Sequence, residues 1–198
     1  SFEFIQQERG ITKIIDKIND YLPLSLYFHN DEPDCCTMDP ITNLTYKESY
    51  ISYSYLKEEY IKQNKPPEKI QEFFDNKLKE NFNKLDHLLL KIKLALAQGQ
   101  KIELEIKGFA SPLFEAEYNI NLSKRRIVSL LNYMKEFQNG SITQYLKNEQ
   151  LVIYELPLGE AKSVNRVNDN PKNKKLSVYS LEAALARKIE IVRVKLKQ

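Results

Sequence analysis

The chain has 198 residues, 42% of them apolar and 11% aromatic, with 30 Lys and Arg against 27 Asp and Glu for a formal net charge of +3. That length suits one large domain, and twelve Tyr and nine Phe exclude a wholly disordered chain. The pI of 8.6 lies below the ~9 that marks a nucleic-acid binder, so no nucleic-acid partner is expected.

No apolar run approaches the ~18 residues of a membrane-spanning helix. Ser1-Phe2-Glu3-Phe4 lacks the basic start and apolar stretch of a secretory signal, and a start without Met is expected of a fragment.

In chain order, Leu22 to Phe28 predicts a strand that ends at the polar cluster His29-Asn30-Asp31-Glu32-Pro33-Asp34. Cys35 and Cys36 follow. Neighbouring cysteines close a strained ring, so two free thiols are expected, and no other Cys exists to build a disulfide framework. Residues 35–45 read as loop. Tyr46, Tyr50, Tyr53 and Tyr60 recur at helical spacing and predict one amphipathic helix, whose stripe packs on the domain or meets a protein partner.

Pro66-Pro67-Glu68 opens the strongest helix of the sequence. Its stripe is Ile70, Phe74, Leu78, Phe82, Leu85, Leu89, Ile92 and Leu96, and Gly99 stops it. Ile102, Leu104 and Ile106 alternate with charged residues as a strand with one face buried, ending at the Gly108-Phe109-Ala110-Ser111-Pro112 loop.

A helix follows from about Phe114 to Phe137, with Ile120, Ile127, Leu130, Leu131 and Met134 on the core side and Asn139-Gly140 closing it. Gln150 to Leu156 reads as a strand, Pro157 to Glu160 as a turn, and residues 162–175 as a mobile loop. A short helix near Ser180 to Ala186 precedes the last strand, Ile189 to Val194. Strands separated by helices predict an α/β fold of the two-layer α+β kind, with a mixed sheet and helices packed on it.

Two polar clusters stand out. The His29–Cys36 run holds metal-ligand types, but no second ligand cluster lies elsewhere and His87 sits mid-helix, so neither a metal nor another cofactor is expected. The second cluster is Tyr118-Asn119-Ile120-Asn121-Leu122-Ser123-Lys124-Arg125-Arg126. Asn119, Leu122 and Arg126 share a helix face, and a guanidinium fork suits a carboxylate or phosphate. An exposed arginine pair without function is the plain alternative. No nucleophile–base pair is evident, so an enzyme is not expected.

The central run, preceded by Ile106-Lys107-Gly108-Phe109-Ala110-Ser111, resembles the signature of the OmpA-like, peptidoglycan-associated C-terminal domains. That signature has a strand ending in Gly, a Thr-Asp loop and Tyr-Asn-x-x-Leu-Ser-x-x-Arg on a helix. Phe28-His29-Asn30-Asp31, Gly159-Glu160 and Ala186-Arg187-Lys188-Ile189-Glu190-Ile191 agree with further family pieces in order, so the likeness covers about residues 22–196.

The resemblance implies a single domain over residues 1–198, with a βαβαβ-type mixed sheet and an inserted loop and helix at about residues 35–65. It implies a non-catalytic anchor that binds the diaminopimelate-containing stem peptide of peptidoglycan, in the periplasm beside the outer membrane of a Gram-negative bacterium. Its loop features look most like those of envelope lipoproteins of the type IX secretion machinery, which adds secretion-machinery proteins as partners.

By resemblance Arg126 holds the ligand carboxylate, Asn119 and Leu122 line the groove, and Asn30 and Asp31 meet the ligand. Arg126→Ala should then weaken binding and leave the fold intact. Ala110 and Ser111 stand where the family has Thr and Asp, which removes the usual acceptor for the ligand ammonium. A protein-interaction domain that has lost wall binding is the first alternative, and a wall-peptide enzyme the second.

Overall fold

The computed structural model describes residue 10, residues 17–160 and residues 167–196. Four strands form one mixed sheet: β1 (Leu24–Tyr27), β2 (Ile102–Ala110), β3 (Leu151–Glu160) and β4 (Lys188–Leu196), in the spatial order β1-β4-β2-β3. β4 runs antiparallel to both its neighbours, and β2 and β3 pair in parallel. β1, β2 and β3 therefore point the same way, and their carboxyl ends open on one edge.

Eight α-helices are described, giving a mixed α/β architecture. They are α1 (Tyr46–Tyr55), α2 (Lys57–Gln63), α3 (Glu68–Glu72), α4 (Lys79–Ala97), α5 (Ala116–Gly140), α6 (Thr143–Lys147), α7 (Lys174–Ser177) and α8 (Leu181–Ala186).

The main core follows from strand alternation. Ile102, Leu104 and Ile106 of β2 join Ile189, Ile191 and Val194 of β4 against Leu89 and Ile92 of α4 and Ile127, Leu130 and Met134 of α5. In β4, Ile191 and Val194 are three apart, a spacing that would turn one of them outward in a regular strand. The register shift between Glu105 and Ile106 absorbs one residue of β4, so both side chains face inward.

A second, aromatic core gathers Tyr27, Tyr53, Tyr60, Ile70, Phe73, Phe74 and Leu78. Tyr46, Tyr53 and Tyr60 are completely buried, so of the two uses expected for the tyrosine stripe, packing on the domain is the one observed.

Several expectations need correction. The helix over Tyr46 to Tyr60 is two helices meeting at Leu56; Tyr53 and Tyr60, seven residues apart, still fall on one side. The long helix that begins at Glu68 contains a π-helical turn at Phe73–Leu78. Steps of four from Ile70 to Phe82 exceed the α-helical 3.6, and the wider turn takes up the drift that would otherwise rotate the stripe off the core.

Pro157 to Glu160, read as a turn, continues β3, because Gly108 pairs with Pro157 and Ala110 with Glu160 on this edge strand. Ile120, expected inside, is 46% exposed. Of the expected loop at 162–175, residues 162–166 lie outside the described residues, and α7 begins within it at Lys174.

Candidate ligand site at the carboxyl edge of the sheet

The first turns of α5 lie very close to the sheet. A Cβ on Gly108 would stand 2.5 Å from the Ser123 carbonyl oxygen, and one on Gly159 would stand 3.1 Å from Ile120 Cγ1. Only a residue without a side chain permits that approach at Gly108, and Gly159 also has a φ of +65°. The Gly159 amide donates to Ser123 Oγ (3.2 Å), locking helix to strand. The polar face of α5 is thereby aimed at the loop that leaves β1.

Arg125 and Arg126 are both fully buried, not an exposed pair. Arg126 donates from Nε to the Glu32 carbonyl (3.0 Å), from Nη1 to the Phe109 carbonyl (2.6 Å) and from Nη2 to the His29 carbonyl (3.4 Å). Its Cζ stands 5.3 Å from the Phe28 ring centroid. Burial and then the neighbouring Arg187 pull its pKa down to about 9, which leaves it charged at neutral pH. The adjacent Arg125 grips the same loop further on: Nε donates to the Pro33 carbonyl (2.9 Å) and Nη1 to the carbonyls of Thr37 (2.8 Å) and Asp39 (2.7 Å). Two guanidinium forks thus staple residues 29–39 to α5.

Asp31 sits where these contacts meet, with a φ of 56°. Its Oδ1 accepts from the Tyr118 hydroxyl (2.5 Å) and lies 3.8 Å from Arg125 Nη2, and its Oδ2 accepts from the Cys36 amide (3.1 Å). Asn119 is fully buried; its Nδ2 donates to the Phe114 carbonyl (2.8 Å) and to Glu160 Oε1 (3.2 Å). Leu122 is buried on the same face, and Ala110 and Ser111 are buried at the carboxyl end of β2, next to the Phe109 carbonyl that Arg126 holds. Three buried polar atoms here, Asn30 Oδ1, Asn119 Oδ1 and Arg125 Nη2, have no hydrogen-bond partner among the described residues.

Beside this edge, His29 Nδ1 meets the Tyr60 hydroxyl (2.8 Å), which also accepts from Arg187 Nη2 (2.9 Å). Burial, then Arg187 and Arg126, push the His29 pKa down to about 3, so the imidazole is neutral. Cys35 and Cys36 are free and exposed, with sulfurs 2.8 Å apart. The hydrogen bond to Cys36 raises the Cys35 pKa to about 11, with smaller contributions from desolvation and from Cys36, Asp31 and Glu32.

The residues singled out in the sequence therefore gather at one edge of the sheet. Tyr118 and Arg125 belong to the cluster read from the sequence but had no ligand role there, although both contact Asp31 directly. No spacing rule could have found the role of Arg125, since its partners are carbonyls of a distant loop. Comparison of the chain with family models, with curated proteins and with solved structures finds no match.

Proposed function

We propose that this chain is a non-catalytic, OmpA-like peptidoglycan-binding domain. It anchors an outer-membrane or periplasmic protein or machine to the cell wall through the diaminopimelate-containing stem peptide. The observation that carries this reading is the set of buried polar groups without hydrogen-bond partners: acceptors on Asn30 and Asn119 and a donor on Arg125, whose Nη2 lies 3.8 Å from Asp31.

Unmatched buried polar groups are costly, and a zwitterionic head supplies both complements, an ammonium for the oxygens and a carboxylate for the guanidinium. The carboxyl ends of strands pointing one way are a common place for such a site. Weak single contacts suffice on a polymer that repeats its ligand, because tethering raises effective concentration. The Ala110–Leu113 loop favours an envelope protein of the type IX secretion machinery as the carrier.

A second reading, a protein-interaction domain, draws on Arg126, all three of whose nitrogens donate to backbone carbonyls that a ligand carboxylate would have to displace. Co-sedimentation of the purified chain with sacculi separates the two. Wall binding predicts protein in the pellet, released by a soluble diaminopimelate peptide; folded protein that stays in the supernatant overturns it.

A further inference from the structure

We propose that Asp31, Cys35 and Cys36 form a binding site for a thiophilic divalent cation of the zinc and cadmium type. One ligand atom from each of the three residues lies within 4.8 Å of the others, and both sulfurs are exposed and free. Sequence spacing alone speaks against a metal here, because it shows a single ligand cluster with no partner. The fold supplies what spacing cannot, a carboxylate turned back under the two thiols by the left-handed backbone of Asp31, Asp34 and Cys36.

The donor set is two sulfurs and one oxygen, which suits a tetrahedral d10 cation and leaves one position open to water or a substrate donor. Two sulfurs bound to one metal at ~2.3 Å stand roughly 3.7 Å apart. The sulfurs, 2.8 Å apart here, need to open by about 1 Å, a small rotation for exposed side chains. Chelation closes a ring one atom larger than the vicinal disulfide, relieving the strain that disfavours that bond.

The surroundings are those of a supported ligand. Tyr118 donates to Asp31 Oδ1 and the Cys36 amide to Oδ2, fixing the carboxylate while each oxygen keeps a lone pair. Charge also balances. Two thiolates and a carboxylate carry three negative charges, a divalent cation returns two, and Arg125, with Nη2 3.8 Å from Asp31, supplies the third. Binding releases the two thiol protons to solvent and involves no oxidation. The site shares Asp31 with the proposed wall site, but a cation titration without wall ligand reads it alone, so the two readings fail separately.

The test titrates the reduced chain with Cd2+ alone, following the ultraviolet sulfur-to-metal charge-transfer band, and then displaces it with Zn2+. One equivalent is expected to saturate the band. Cys35→Ser and Cys36→Ser, exposed and harmless to folding, should each weaken binding tenfold or more, and Asp31→Asn by roughly tenfold. Tyr118→Phe, which only loosens the carboxylate, should cost less than Asp31→Asn. No band at one equivalent overturns the site, and so does a folded Asp31→Asn chain that binds as tightly as the parent.

Discussion

At the scale of single residues, the edge of the sheet is built from charges that the fold has buried and then satisfied with backbone. Arg126 illustrates the consequence. Removing its side chain takes the donor away from the carbonyls of His29, Glu32 and Phe109, and water entering the vacated space replaces part of what is lost. Arg126→Ala is therefore expected to destabilise the protein by about 2–3 kcal/mol, lowering Tm by roughly 5–10 °C. The variant is thus expected to lose stability as well as binding. Thermal unfolding followed by circular dichroism checks it, and any binding loss has to be measured below the variant's own transition.

His29 makes a second prediction, with its sign set by linkage. The folded protein holds this imidazole neutral down to about pH 3, whereas the unfolded chain takes up a proton near the ordinary 6.5. Stability is therefore complete above about 6.5 and falls as pH drops toward 3. In His29→Gln, which keeps a neutral hydrogen-bonding group beside Tyr60, the part of this slope between pH 6.5 and the carboxylate range should vanish. Denaturant midpoints measured across that window decide it; an unchanged slope means another group is responsible.

At the scale of elements, the approach of α5 to β2 is the contact that positions everything else. Gly108→Ala places a methyl 2.5 Å from a backbone oxygen that cannot rotate away, so the helix must lift off the strand. A loss of about 1–3 kcal/mol is expected, read from the denaturant midpoint at unchanged slope. Gly99, where a Cβ meets nothing within 4 Å, lies away from this contact and makes a useful control for glycine replacement, although its φ of +85° adds strain of its own.

The tyrosine-bearing helices are the other element whose role the fold decides. Tyr53 packs against Phe73 and Phe74, with ring centroids 6.0 and 5.3 Å away, and Tyr46 lies 5.2 Å from Phe28. Tyr50 stacks on Phe82 at 4.2 Å. The segment also supplies the Thr37 and Asp39 carbonyls to Arg125 and the Thr42 and Leu44 carbonyls to Asn132.

At the scale of the whole molecule, residues 35–65 thus belong to both cores and to the site. Trimming them is expected to leave no cooperatively folded protein, since it uncovers a set of aromatic side chains that each bury 150–250 Å². A sharp thermal transition retained in the trimmed chain would contradict this.

Much of this architecture was legible in the chain. Alternation located β2, periods of three and four located α4 and α5, and Gly99 and Asn139-Gly140 marked their ends. Helical geometry indeed breaks at Phe137, Gln138 and Asn139. These signals are local: a strand or helix writes its buried face into its own spacing. The polar clusters at residues 29–36 and 118–126 were legible as composition too.

What the sequence could not determine was which of their groups meet. That Arg125 grips Pro33, Thr37 and Asp39, that Asp31 turns back under two thiols, and that β3 runs on through Pro157 all depend on segments far apart in the chain. Burial removes water as a partner, so each charged or polar group must take whatever acceptor or donor the neighbouring segment presents. Only the tertiary structure says which segment that is.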